Sequence, residues 1–224
     1  MDIITTHIQA DFDATASMLA AKLLHPDAIL VFPGSQEKGV RDYLMTAPKS
    51  IVADMVKLKT IDLEAVERLI IVDTRQVSRI GPFVDILGRD NLEIVIYDHH
   101  PPSPDDIKGH QVFCRELGSN VALMVEELSS RGIAPGPPVA TLMAMGIYED
   151  TGSLLFPSTT PEDCQSLAKL LAWGADLNTV ARMVSRELSP EQVDVLDQLI
   201  KNGRSLQIHG INILFTRSVS SAYV

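Results

Sequence analysis

The sequence predicts an α/β fold: a doubly wound, mostly parallel sheet flanked by helices, then a mostly helical C-terminal part and the start of a second α/β domain. Three observations carry this. Short, β-branched apolar runs alternate with helical patterns from the N-terminus onward. Two of those runs, Leu69–Val72 and Leu92–Tyr97, are apolar almost without a break, as strands buried on both faces are. Beyond about residue 118 the pattern turns helical.

In chain order, Asp2–Thr6 reads as a strand and Ala14–Leu24 as a helix with Met18, Leu19 and Leu23 on one face. Ala28–Phe32 reads as a second strand, Ser35–Leu44 as a polar helix and Ile51–Val56 as a further strand. Strands separated by helical stretches of this length indicate right-handed βαβ units. Asn120–Arg131 and Pro138–Tyr148 follow as helices. Thr160-Pro161-Glu162-Asp163 and Ser189-Pro190-Glu191-Gln192 have the form of capping boxes with proline at the first helical position. They open helices over Pro161–Trp173 and Pro190–Asn202, which Gly174 and Gly203 end. Ser205–His209 and Ile211–Arg217 suggest a hairpin about Gly210. A lone hairpin is marginal, so the expected division is a domain over 1–187, a connector helix over 188–204, and a second domain begun at 205–224 and cut short.

Hydrophobic residues make up 46% of the chain, enough for a real core, and no apolar run approaches the ~20 residues of a membrane span. The N-terminus shows no basic leader or cleavage site, so a cytoplasmic protein is expected. Cys114 and Cys164 form no Cys-x-x-Cys pair and are expected as reduced thiols. No Walker-type loop and no Gly-x-Gly-x-x-Gly is present. A net charge of −10 argues against general nucleic-acid binding, yet suits phosphate chemistry if divalent cations stand between carboxylates and substrate.

Four clusters carry chemistry: His7-x-x-x-Asp11-x-Asp13, Val72-Asp73-Thr74, Asp98-His99-His100 and Glu149-Asp150-Thr151-Gly152. Singly, each reads as a turn or a cap; Asp11 or Asp13, for instance, could cap the helix near Ala14. Together they say more. His7, Asp73 and Asp98 fall at the carboxyl ends of predicted parallel strands, where loops of an open α/β sheet converge on one crevice. Asp11, Asp13 and Asp150 lie in loops or turns beside them. So many carboxylates could not all stay ionised unaided. Divalent cations resolve the conflict, and mixed His/Asp ligation suits manganese. Asp73 is centrally placed to bridge two ions, an arrangement suited to phosphoryl transfer.

The four clusters, in this order and spacing, resemble the DHH phosphoesterase superfamily over about residues 1–155. The resemblance implies two Mn2+ ions, with Mg2+ or Co2+ as substitutes. His7, Asp11 and Asp73 would hold one ion, and Asp13, Asp73, His99 and Asp150 the other. His100 would face the substrate phosphate with Asp98 orienting the site, so that Asp73, Asp98 and His100 are the expected catalytic residues. Many members carry Gly-Asp-Ala at the second aspartate of the first motif, whereas this chain has Asp11-Phe12-Asp13-Ala14. That variant looks like the DHH module at the N-terminus of bacterial proteins that also carry CBS domains and a poly(A) polymerase or tRNA nucleotidyltransferase-like domain.

Three further residues are expected at the phosphate. Gly118-Ser119-Asn120 precedes a helix whose amides could bind an anion, or Ser119 could be a plain N-cap. Arg75 could reach a phosphate oxygen or form a salt bridge. The Gly-Gly-x-His-like motif of the family's second domain is absent, because the sequence has no Gly-Gly pair. The reading that results is metal-dependent hydrolysis of phosphodiesters in a short oligonucleotide, a dinucleotide or an RNA 3′ end. The missing C-terminal domains of the same polypeptide would be partners, and a homodimer is compatible with the sequence. Two other readings stand beside it: a regulatory or RNA-positioning module of a nucleotidyltransferase polypeptide that binds metal and nucleotide without turnover, and a manganese-dependent inorganic pyrophosphatase.

Overall fold

The computed structural model describes residues 1–184 and 190–220, and the chain divides into two units, Met1–Val184 and Ser185–Val224. The first unit is built on a five-stranded sheet of β1 (Asp2–Thr5), β2 (Ile29–Leu30), β3 (Arg68–Val72), β4 (Glu93–Asp98) and β5 (Gln111–Cys114). The strands run β2-β1-β3-β4-β5, every pair parallel. The chain leaves β1 in one direction and returns on its other side, so the topological switch point lies between β1 and β3.

Both faces of the sheet are buried, as the near-continuous apolar runs predict. Ile4, Ile70, Val72, Val95 and Tyr97 join one core, and Ile3, Leu69, Ile71, Ile94 and Ile96 the other. This is the two-residue period of a strand expressed in full. The first face carries α1 (Phe12–Leu24), α4 (Asn120–Ser130) and α5 (Pro137–Asp150), with α1 packed against α4 and α5. The second face is closed by 3-10 turns, including Leu58–Thr60 and Gly81–Ile86, which bring Ile80, Phe83 and Ile86 onto the strands.

Helices α2 (Lys38–Thr46), α3 (Lys49–Val52), α6 (Pro161–Ala172) and α7 (Leu177–Val184) complete the unit. Asp11 is the N-cap of α1, accepting from the Ala14 amide at 2.9 Å, and the Thr160–Asp163 capping box opens α6. Two local expectations change. Ile51–Val56 is not a strand: Pro48 starts the short helix α3, which buries Ile51, and only Met55 pairs with Leu30 across a single bridge. The strand expected over Ala28–Phe32 is two residues long. Strand β5 and helix α7 were not predicted; β5 has four residues, exposed at Gln111 and Val112, too short for a period to register. The second capping box involves Ser189, which lies outside the described residues.

In the second unit, α8 (Pro190–Lys201) precedes an antiparallel hairpin of β6 (Arg204–Ile208) and β7 (Ile211–Phe215). His209 and Gly210 both have positive φ, as the twist of a two-residue hairpin turn requires. Both cysteines are free, and no described helix is long and apolar enough to cross a membrane.

Candidate metal centre

Three neighbouring strands deliver the central residues at their carboxyl ends. His7 follows β1, Asp73 follows β3, and Asp98, which ends β4, leads into His99 and His100. Asp11 caps α1, Asp13 lies in its first turn, and the last turn of α5 adds Asp150. Asp73 sits in the middle, and its two oxygens face different imidazoles. Oδ2 is 3.3 Å from His7 Nε2, and Oδ1 is 3.2 Å from His99 Nε2. Asp11 Oδ2 lies 3.7 Å from His7 Nε2; on the other side, Asp150 Oδ2 and Asp13 Oδ2 lie 3.5 Å and 4.0 Å from His99 Nε2. The structure therefore groups His7, Asp11 and Asp73 on one side, and Asp13, His99 and Asp150 on the other.

Each imidazole is aimed by the backbone. His7 Nδ1 lies 2.9 Å from the Ile8 carbonyl, and His99 Nδ1 2.9 Å from the Leu117 carbonyl. A carbonyl only accepts, so each Nδ1 carries the hydrogen and each Nε2 is turned toward carboxylate oxygens. Lone pair would then face lone pair unless a proton or a cation stood between them. His99 Nε2 and Asp73 Oδ1 are both buried without a hydrogen-bond partner, the condition a shared cation would satisfy. This donor set fits divalent metal.

Electrostatics record the crowding. Burial, then Asp73, pushes Asp11 up to about 6. Burial, then the Asp73 charge, raises Asp13, and burial, then Asp13 and Asp73, raises Asp150. Burial alone would lower the two imidazoles, but Asp73 outweighs it, raising His7 and taking His99 up to about 11. Burial would raise Asp73, yet the two imidazoles hold it well below the usual carboxylate range. Protons thus do, in the metal-free chain, what cations would do.

The supports are equally specific. Asp13 is fully buried and accepts the Asn120 amide at 2.7 Å on Oδ2 and the Val121 amide at 2.9 Å on Oδ1, at the positive end of α4. Gly146 of α5 permits this approach: a Cβ there would stand 2.8 Å from Asp13 Cα. Glu149 accepts from the Phe12 amide at 2.7 Å, tying the end of α5 to the first motif. Asp163, fully buried, accepts from Gly118 N and Ser119 Oγ at 2.9 Å each and fixes the entry to α4. Asp73 itself has φ +60, a left-handed conformation that costs most residues energy and that aspartate tolerates.

His100 borders the cluster, its Nδ1 4.0 Å from Asp73 Oδ1, and groups with Asp73 and His99. Its Nδ1 is 2.7 Å from Asp98 Oδ1, and Asp98 Oδ2 accepts from Arg75 Nε at 2.7 Å. Arg75 Nη2 also donates to the His100 carbonyl at 2.6 Å. With Nδ1 so engaged, His100 is held as an oriented imidazole whose side chain is 44% exposed.

Of the two readings open for each of the residues considered at the phosphate, the structure shows the N-cap at Ser119 and the salt bridge at Arg75. Ser119 caps α4, and both Ser119 and Asn120 are fully buried, so the amides that an outside anion would need serve Asp13. The guanidinium of Arg75, 10% exposed, is engaged with Asp98 and the His100 backbone. Sequence reasoning missed the supporting roles of Gly146, Glu149 and Asp163. Asp163 left one signal, its place in a capping box, which accounts for only part of what it does.

Comparisons with known proteins agree with this architecture. Residues 3–147 match the model of the DHH family, N-terminal domain, and Asp150 lies just beyond them. The chain is 44% identical over 224 residues to an A-adding tRNA nucleotidyltransferase of Geobacter sulfurreducens, and 32% identical over 216 residues to one of Aquifex aeolicus. Those alignments cover 100% and 96% of this chain but only 25% and 24% of the relatives, so the chain spans about a quarter of their length. Among solved structures, an exopolyphosphatase-related protein of Bacteroides fragilis superposes with TM-score 0.71 at 19% identity, covering 90% of this chain and 61% of that one. A candidate family II inorganic pyrophosphatase of Methanococcus jannaschii superposes with TM-score 0.65 at 19% identity, covering 96% and 71%. These two likenesses show the fold alone. The strand order, the carboxylate-lined switch point and the family match over residues 3–147 together place the chain in the DHH family.

Proposed function

We propose that this chain is a two-manganese phosphodiesterase module acting on short oligonucleotides or dinucleotides, within a larger polypeptide of the A-adding tRNA nucleotidyltransferase kind. One observation supports this most directly. Asp73 presents one oxygen to each of two imidazoles, whose other nitrogens face backbone carbonyls. In this reading His7, Asp11 and Asp73 hold one ion, and Asp13, Asp73, His99 and Asp150 the other. In the same reading residues 1–187 would be the catalytic domain, 188–204 the connector, and 205–224 would belong to a substrate-gripping domain.

Bound divalent ions supply an activated water and neutralise charge on the phosphoryl oxygens. The chain's own residues do the rest. Asp98 and Arg75 hold His100 in one orientation. With Nδ1–H held by Asp98, His100 in its imidazolium form would donate from Nε2 to a phosphoryl oxygen as negative charge develops there. Asp13 and Asp73 keep their positions because backbone amides, a left-handed turn and buried imidazoles fix them.

The test is calorimetric titration with manganese, followed by hydrolysis of a fluorescent dinucleotide. Two ions bound with turnover is the expected result. Phosphate release from pyrophosphate without dinucleotide cleavage would replace this reading by the pyrophosphatase. Two ions without turnover in the full-length polypeptide would leave a binding module. No ions bound would refute the metal centre.

A further inference from the structure

We propose that a groove at the carboxyl end of β2 holds single-stranded nucleic acid, with a base on its apolar floor and phosphates at Lys57 and Lys59. The groove has a volume of about 510 Å3; Phe32, Leu44, Val52 and Met55 form its floor, with Lys57 and Lys59 among its other lining residues. It opens at the sheet edge where ligands of open α/β folds bind. Its position is tied to the metal centre by the backbone. Gln36, in its wall, pairs with Ala10 across a parallel bridge; the Ala10 amide donates to the Ser35 carbonyl at 3.2 Å, and the Glu37 amide to the Ala10 carbonyl at 2.8 Å. A Cβ on Gly34, also in the wall, would stand 2.9 Å from Ile8 Cγ2. Ala10 and Ile8 belong to the loop between His7 and Asp11, so the groove begins one to two strand spacings, about 5–10 Å, from the carboxylate cluster.

Charge selects the occupant. Between residues 35 and 60 the sequence places Lys38, Arg41, Lys49, Lys57 and Lys59 against Glu37, Asp42 and Asp54, in a chain whose net charge is −10. Lys38 pairs with Asp42, and Asp54 with Lys22. Lys57 and Lys59 are left without a carboxylate partner among the described residues. An aromatic and aliphatic floor beside unpaired ammonium groups is how single strands are held without sequence readout. An acidic chain that repels nucleic acid elsewhere would thereby admit a strand along one track. The assignment rests on the phosphodiesterase reading only for where that strand leads.

The test is fluorescence anisotropy of labelled hexa-adenylate with the 224-residue protein, in EDTA and in magnesium. It is paired with amide chemical-shift mapping and repeated with Lys57→Glu/Lys59→Glu. Expected are shifts over residues 32–36 and 55–59, affinity falling about tenfold or more in the double variant, and a salt slope lower by roughly two phosphate contacts. Absence of hexa-adenylate binding in the wild type, shifts confined to other residues, or an unchanged affinity in the variant would overturn the groove. Manganese stoichiometry, measured separately, keeps the readings distinct. A wild type that binds hexa-adenylate in EDTA but takes up no manganese would keep the groove and sink the phosphodiesterase.

Discussion

The two sides of the carboxylate cluster are built to different depths. On the His7 side, Asp11 lies in a loop, is 25% exposed, and uses Oδ1 to cap α1 while Oδ2 faces the imidazole. On the His99 side, Asp13 is wholly buried and receives two amides from the start of α4, and Asp150 closes the last turn of α5. One side is carried by a loop and the other by two packed helices. Rigid elements hold ligands in place at no cost at the moment of binding. The helical side should therefore take its ion more tightly, and the loop side should exchange faster.

Substitution at the shared residue should have the largest effect. Asp73→Asn removes the carboxylate that both sides use, so manganese titration should show both sites weakened together, by about 100-fold or more. Asp13→Asn should remove mainly the tighter one. An unchanged stoichiometry in Asp73→Asn would mean that the two sides do not share it.

Next in size is Gly146→Ala. The added methyl meets the Asp13 backbone at 2.8 Å, and backbone cannot swing aside as a side chain can. Overpacking of about 1–3 kcal/mol should outweigh the about 1 kcal/mol that alanine brings to a helix. Chemical denaturation should show the net loss, and manganese titration should show the helical side weakened more than the loop side. Equal weakening of both would break the distinction between them.

The smallest effect is one of pH. Asp11 has a folded-state pKa of about 6 against an ordinary 3.8. A raised acid contributes stability below about pH 4 and loses it as pH climbs through about 6. Asp73, depressed, contributes above its ordinary value and loses that contribution as pH falls. Manganese needs these carboxylates ionised, so the rise in Tm it produces should grow between about pH 5 and pH 7. Calorimetry in two buffers of different ionisation enthalpy should also show proton release on binding. A Tm increment independent of pH would mean that Asp11 is not a ligand.

The sequence was most legible where one physical rule acts alone. Strands buried on both faces must be apolar almost throughout, so β3 and β4 could be read directly from Leu69–Val72 and Leu92–Tyr97. The meeting of His7, Asp73 and His99 followed from parallel topology, because strand ends at a switch point converge. Features set by tertiary contact were not legible. Gly146 is an unremarked helical glycine until α1 is laid against it, and Asp163 is a helix cap until α4 arrives. Arg75, Ser119 and Asn120 show the same limit from the other direction. Residue type marked them as fit for phosphate, whereas neighbours distant in sequence, Asp98, Asp163 and Asp13, engage their donors.

The left-handed backbone at Asp73 changes what its persistence among relatives would mean. At φ +60 the polypeptide accepts glycine, asparagine or aspartate far more readily than other residues. Mutational drift there is confined by sterics before chemistry is consulted, and a descendant that bound no metal would still be steered toward the same few residues. His99, whose backbone carries no such restriction, is free to drift once its ligand role lapses. Retention of the histidine across lineages would therefore speak for an active centre more strongly than retention of the aspartate.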